Sequence, residues 1–181
     1  MSANVPVRYH FLIYRREQLW LAVGMWAFFC LIAALFRSEA RVFEMVGGFL
    51  GVVLPLMAGV LSASAVVEDP ALELQFAAPR APWRTLLERL GLLLGVIAAA
   101  ALSYQVLLGW LGIDIGIFGN FAVRQLSWLV PSLTLMGLAT VFALISAQGN
   151  VGALLVGGVW IAEVLLRGWF LTDPWARYVF L

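Results

Sequence analysis

The chain has 181 residues, of which 64% are hydrophobic and 12% are charged, and its formal net charge is +1. Soluble domains carry about 25% charged residues, so this composition excludes an ordinary water-soluble fold and indicates a membrane protein. The near-neutral charge offers no basic surface for nucleic acid, and the absence of lysine excludes a Walker A nucleotide site. One histidine, His10, and one cysteine, Cys30, leave no cluster of metal ligands and no intrachain disulfide.

Residues 1–17 are polar and basic, with Arg8, Arg15 and Arg16 placed among tyrosine and phenylalanine. One interpretation is a helix lying in the membrane interface, with its aromatic side chains inward and its arginines among the lipid head groups. The other interpretation is a disordered tail. No small-residue cleavage site follows the first apolar run, so we interpret that run as an uncleaved anchor.

Five segments are long and apolar enough to cross a membrane, which takes about 20 residues at 1.5 Å each. They lie near residues 18–36, 45–67, 90–111, 125–147 and 151–171. A charged loop with Arg37, Glu39, Arg41 and Glu44 separates the first two, and a loop from Gly112 to Arg124 precedes the fourth. The last two are divided at Gln148-Gly149-Asn150, because glycine and amide residues weaken a helix. The sequence therefore predicts an all-α polytopic membrane protein, a single transmembrane domain over residues 1–181.

The distribution of arginine predicts that the N-terminus is cytoplasmic. With that orientation six arginines are inside: Arg8, Arg15, Arg16, Arg80, Arg84 and Arg89. The other side holds Arg37, Arg41, Arg124 and Arg177, with Arg167 near the end of the fifth segment. Arginine is enriched in cytoplasmic loops, so this orientation is favoured.

Small residues recur every four positions along the second span, at Gly47, Gly51, Pro55, Gly59 and Ala63. Helices in lipid associate by close backbone approach, which small side chains permit. We therefore predict that this stripe packs against neighbouring helices. The alternative is that it borders a gap through which a substrate passes.

Three residues mark the fourth and fifth spans as unusual. Pro131 is expected to kink the fourth span, with nearby hydroxyls satisfying the backbone groups that it frees. Glu163 and Arg167 are the charges expected within the fifth span, where an unpaired acid costs about 2.5–3.5 kcal/mol. Spaced four residues apart on a helix, they are predicted to form an ion pair. A contact between Glu163 and a proton or substrate is the alternative.

A polar segment, residues 68–89, separates the second and third spans. Its charged residues are Glu68, Asp69, Glu73, Arg80, Arg84, Glu88 and Arg89. Proline lacks the N–H group that is unpaired at a helix start, so Pro70 predicts a short amphipathic helix from Pro70 to Ala78. Pro79 ends that helix. A second helix is predicted to start near Pro82 and to continue into the third span.

The polar segment resembles the cytoplasmic segment of ABC-2 type transporter permeases. The residues that carry the resemblance are Glu68-Asp69 at the end of a span, Leu72-Glu73-Leu74, Ala78-Pro79-Arg80 and Arg89. In that family an acidic pair, a leucine-glutamate-leucine piece and a proline-plus-basic turn lead to an arginine at the start of the third span. Pro70-Ala71 replaces the family's usual glycine-threonine. The family has six spans, with short interfacial helices after the fifth, and residues 169–181 look like the start of that region. A sixth span is expected from the resemblance, so either the sequence is truncated here or the copy is atypical.

The resemblance implies a permease subunit of an exporter in the bacterial inner membrane. Two permeases, identical or homologous, would pair in the lipid, and separate ATPase subunits holding ATP and magnesium would dock on the cytoplasmic side. The helix from Pro70 to Ala78 would be the coupling helix that fits a groove of the ATPase. The residues implied to contact the ATPase are Glu68, Asp69, Glu73, Phe76, Arg80 and Arg84.

Two other functions compete with transport. A structural or assembly subunit of a larger membrane complex would equally use tryptophans and small-residue stripes for packing. An intramembrane enzyme would need catalytic groups that converge at one depth. One histidine, one cysteine and one intramembrane acid give little for such a site, so no catalytic residue is predicted.

Overall fold

The computed structural model describes residues 16–37, 41–67 and 82–166, and all regular structure within these ranges is helical. The predicted interfacial segment up to residue 15 and the predicted coupling helix lie outside the described residues. The helices are α1 Arg16–Leu35, α2 Val42–Gly48, a π-helical turn Phe49–Val53, α3 Leu54–Val67, α4 Pro82–Trp110, a 3₁₀ turn Ile115–Phe118, α5 Phe121–Ser146 and α6 Gly149–Leu165.

Three of the described helical stretches are long and apolar enough to cross a membrane, namely Val42–Val67, Trp83–Trp110 and Phe121–Ser146. Two shorter apolar helices, Trp20–Leu35 and Gly149–Leu165, accompany them. The first of the long stretches is formed by α2, the π-helical turn and α3. The chain is therefore a helical membrane protein.

Two helix starts differ from the predicted loop boundaries. The Asn120 side chain accepts a hydrogen bond from the Val123 N–H at 2.9 Å, so α5 begins at Phe121. The prediction that Arg124 belongs to the preceding loop is therefore wrong. Glu44 was likewise predicted in a loop, but it lies in the first turn of α2. Hydropathy ended both spans at the first charge, whereas the helices extend past it.

The turn between α5 and α6 is short and depends on one left-handed residue. Ala147 has φ 53°, and Gln148 is the extended residue that precedes α6. The break thus falls directly before Gly149, beside the glycine and amide residues that predicted it. The tight turn makes α5 and α6 antiparallel neighbours. Residues beyond Leu166, where the fifth span was expected to continue, lie outside the described residues.

The core consists of two clusters that share the long second span. In one, the Phe49 ring lies 5.0 Å from the Phe29 ring and 4.5 Å from the Tyr104 ring, which joins α1, the π-helical turn and α4. In the other, α3 packs against both α5 and α6 around fully buried Leu135 and Val156.

Contacts across each connection define the two ends of the bundle. Arg89 of α4 reaches Ala65 of α3, and Gln105 of α4 pairs with Gln125 of α5, so consecutive helices run antiparallel. We call the end of α3 and the start of α4, together with the turn at Ala147, the Ala65 end. The Asp114 end holds residues 36–37 after α1, Arg41 before α2, the connection at residues 111–120 and the last turn of α6.

Candidate functional site

The residues expected to contact an ATPase lie almost wholly outside the described part of the chain. Those outside are Glu68, Asp69, Glu73, Phe76 and Arg80. Arg84 is described: it lies exposed in the first turns of α4, with its guanidinium carbon 5.3 Å from the centroid of the Trp83 ring. A cation and an exposed indole thus stand next to the undescribed residues 68–81.

Among the residues that carry the resemblance to ABC-2 permeases, Arg89 lies in the described part of the chain. Its side chain is only 7% exposed, and its Nη1 donates a hydrogen bond to the Ala65 carbonyl at 3.2 Å. Hydrogen bonds from charged donors contribute about 1.5–3 kcal/mol. Because Ala65 is in the last turn of α3, this bond joins the two helices that flank residues 68–81.

Glu163 lies near the end of α6 and is only 7% exposed. Among the described residues its Oε2 has no hydrogen-bond partner. Arg167, the predicted ion-pair partner, lies outside those residues. Burial of a carboxylate oxygen without a donor is costly, so such a group is expected to meet a partner when the protein works.

The small-residue stripe of the second span has two surroundings along its length. A Cβ at Gly59 would lie 3.2 Å from the Leu135 Cβ, so this glycine permits close packing of α3 on α5. Pro55 is buried beside it. A Cβ at Gly51 would meet nothing within 4 Å, and one at Gly47 would meet only the Phe118 ring at 3.5 Å. The part of the stripe nearest the Asp114 end, Gly47 and Gly51, therefore borders open space.

That open space is a groove of about 840 Å³ at the Asp114 end. Its first wall is α2 with the π-helical turn, including Gly48 and Gly51; its second is the start of α5; its third is the end of α6, with Trp160 and Glu163. Phe118 of the 3₁₀ turn closes one side.

Two helices beside this groove contain a proline, which has no backbone N–H to donate within the helix. Pro55 has no N–H for the Gly51 carbonyl, and Pro131 has none for the Ser127 carbonyl. Gly51, Ser127 and Pro131 all line the groove. The hydroxyls near Pro131 serve other carbonyls, as Ser132 Oγ does by donating to the Trp128 carbonyl at 2.6 Å.

The π-helical turn precedes Pro55, and one of its carbonyls, that of Val52, accepts a hydrogen bond from α6. The Leu54 N–H donates to the Phe49 carbonyl five residues earlier, which is the π pattern and frequently marks functional sites. Trp160 Nε1 donates to the Val52 carbonyl at 2.9 Å and so joins α6 to this turn.

A polar network behind the groove was not predicted from the sequence. Gln105 Oε1 accepts from Gln125 Nε2 and from Arg124 Nε, each at 2.9 Å, and Trp128 Nε1 donates to Gln125 Oε1 at 2.8 Å. Arg124 Nη1 also donates to the Ile115 carbonyl at 3.5 Å. An amide in each of two apolar spans was the available signal, because buried amides in lipid seek partners on other helices.

Replacement of Gln105 by leucine should therefore lower stability by about 1 kcal/mol, a common value for a polar contact between membrane helices. The loss would leave Arg124 Nε and Gln125 Nε2 without their shared acceptor. Thermal unfolding in detergent measures the effect. Leu102→Ala, at an exposed position of the same helix, is the control, and an equal loss of stability in both variants would contradict the network's role.

Comparisons of the chain with protein families, with curated proteins and with solved structures found no match. The molecule is defined by its architecture, that of a helical membrane protein. A groove lined by Glu163 lies at one end, and at the other the buried Arg89 joins α3 to α4, a link that we call the Arg89 bracket.

Proposed function

We propose that the chain is the permease subunit of an ATP-binding cassette exporter. In this proposal its five apolar helices all cross the bacterial inner membrane, with the N-terminus cytoplasmic. The energy comes from a separate ATPase subunit, and the chain pairs with a second copy or a homologous permease. The resemblance of residues 68–89 to the cytoplasmic segment of ABC-2 permeases carries the proposal.

The geometry at the Ala65 end supports this proposal. The bond from Arg89 to the Ala65 carbonyl holds together the two helices that flank residues 68–81. Force applied to a short helix in that segment would therefore reach α3 and α4 together. Because α3 packs against both α5 and α6, its displacement would be passed to the rest of the bundle.

In the proposed orientation the groove opens on the outer half of the membrane. ATP-driven association of two ATPase subunits would push the coupling segments together at the cytoplasmic end. The antiparallel helices would transmit that movement to the groove walls at the other end. The chain itself would carry no catalytic residue.

Co-purification of the tagged chain from its native membrane tests the proposal directly. We expect a nucleotide-hydrolysing subunit to be retained. Phe76→Ala should weaken its binding at least tenfold, because truncation of an interface anchor commonly costs about 2 kcal/mol or more and 1.4 kcal/mol corresponds to a factor of ten. Glu73→Ala should reduce the ATPase turnover of the complex.

Arg89→Gln separates coupling from docking in the same assay. It should preserve ATPase binding while it reduces the dependence of turnover on the permease, since the bracket between α3 and α4 is weakened. Arg41→Gln is the matched control, because Arg41 is an exposed arginine at the Asp114 end. A chain that retains no ATPase, or a complex insensitive to Glu73 and Phe76, would instead favour a structural or assembly subunit.

A further inference from the structure

We propose that the groove at the Asp114 end binds a membrane lipid whose head group carries a protonated primary amine, with Glu163 as the acceptor of its N–H groups. Glu163 lines the groove, is only 7% exposed, and has no partner for Oε2 among the described residues. The inference needs only a membrane-embedded chain. It does not depend on an ATPase partner.

The polar groups of the groove are mostly acceptors. Glu44 lines the same space as Glu163, and the prolines deprive the Gly51 and Ser127 carbonyls of their helical donors. Among the described residues, one guanidinium lines the wall, that of Arg124, and it already donates to Gln105 and to the Ile115 carbonyl. Among the described lining residues two carboxyl groups, Glu44 and Glu163, face one guanidinium. An ammonium group supplies N–H donors and offsets that excess of negative charge.

The apolar side chains and the glycines that line the groove leave space for a hydrocarbon chain. Leu126, Val130 and Val164 line the groove and remain exposed, so it is open to the lipid phase along α5 and α6. Gly48 and Gly51 face it with no heavy atom within 4 Å of an added Cβ. A bound chain would lie against these glycines, with the amine at the Glu163 end.

Native mass spectrometry of delipidated protein, titrated with single lipids, tests the inference. The probes are dioleoyl phosphatidylethanolamine, phosphatidylcholine and phosphatidylglycerol, which share their acyl chains and differ in the head group. We expect the wild-type chain to bind phosphatidylethanolamine about tenfold more tightly than either other lipid, given one charge-assisted hydrogen bond. The phosphatidylcholine head group is positively charged but has no N–H, so it separates the effect of charge from that of hydrogen bonding.

Three variants test the site. Glu163→Gln should reduce the preference for phosphatidylethanolamine about tenfold. Gly51→Leu should lower binding of all three lipids, because the new side chain fills the groove. Gly95→Leu is the control, since Gly95 is an exposed glycine of α4 with nothing within 4 Å of an added Cβ. Monodisperse elution on gel filtration confirms that each variant is folded.

Equal binding of the three lipids by the wild-type chain would overturn the inference without any variant. A preference unchanged in Glu163→Gln, or a loss in Gly95→Leu equal to that in Gly51→Leu, would do the same. Arg167→Gln addresses the competing ion pair. If Arg167 occupies Glu163 permanently, the wild-type chain shows no preference and the variant gains one, and the groove then does not select amines.

Discussion

Gly152→Ala is expected to destabilise the protein, whereas Gly158→Ala on the same helix should stabilise it or leave it unchanged. Alanine normally improves a helix by about 0.5–1 kcal/mol over glycine. At Gly158 a Cβ would meet nothing within 4 Å. At Gly152 it would lie 2.8 Å from the Ala143 backbone nitrogen and 2.8 Å from the Ala143 Cβ. Helix α6 would have to move away from α5, and overpacking of this kind costs about 1–3 kcal/mol.

The two substitutions are expected to change stability in opposite directions, or one to lower it while the other has no effect, and this difference can be measured directly. Both positions are in α6 and both substitutions add one methyl group, so helix propensity and membrane insertion affect them alike. The measurement is the midpoint of thermal or dodecyl-sulfate unfolding in detergent. A stabilised Gly152→Ala protein would mean that α5 and α6 do not approach as closely as the turn at Ala147 requires.

The sequence predicted the helical class, and it placed the described helices approximately, because both depend on local composition. Apolar length marked the long spans, Pro82 marked the start of α4, and the amide-glycine stretch marked the break beside Gly149. The errors at Glu44 and Arg124 share one cause. A hydropathy pattern ends at a charge, whereas both helices begin before their first charged residue. For Arg124 the start of the helix is set by the Asn120 cap.

The candidate site was less predictable because it depends on which helices meet. The small-residue stripe was expected to serve packing, but Gly59 contacts Leu135 while Gly51 faces the groove. Spacing of four residues cannot distinguish these surroundings, since they are decided by α5 and α6. Glu163 was identified from sequence by its charge, whereas the groove beside it depends on helices more than 100 residues apart in the chain, as the 108-residue separation of Trp160 and Val52 shows.

The two ends of the bundle have different physical characters, and this asymmetry restricts any mechanism. At the Ala65 end a buried arginine ties α3 to α4. At the Asp114 end a proline, residues of the π-helical turn and glycines line a space of about 840 Å³. Tight packing around Gly59 lies between them. Movement of one end relative to the other would therefore pivot on this packed middle, since close-packed interiors transmit displacement.

Trp160→Ala is expected to be among the most damaging single substitutions, with a loss of about 3–5 kcal/mol, the usual cost of truncating a buried aromatic residue. The indole is only 4% exposed and belongs to the cluster that joins α3, α5 and α6. It also supplies the donor for the Val52 carbonyl. The variant should unfold at a lower temperature and lose the wall of the groove that α6 provides.

Trp160→Phe isolates the hydrogen bond from the packing. Phenylalanine keeps most of the aromatic volume but removes the indole N–H that donates to the Val52 carbonyl, and a hydrogen bond of this kind contributes about 0.5–1.5 kcal/mol. Trp128→Phe is the matched control: Trp128 is also 4% exposed, but its acceptor is Gln125 Oε1, which Gln105 Nε2 also approaches at 3.4 Å. Unfolding midpoints in one detergent should therefore fall in the order wild type, Trp128→Phe, Trp160→Phe, Trp160→Ala. If the two phenylalanine variants are equally stable, the π-helical turn does not depend on the indole of α6, because another donor then satisfies the Val52 carbonyl.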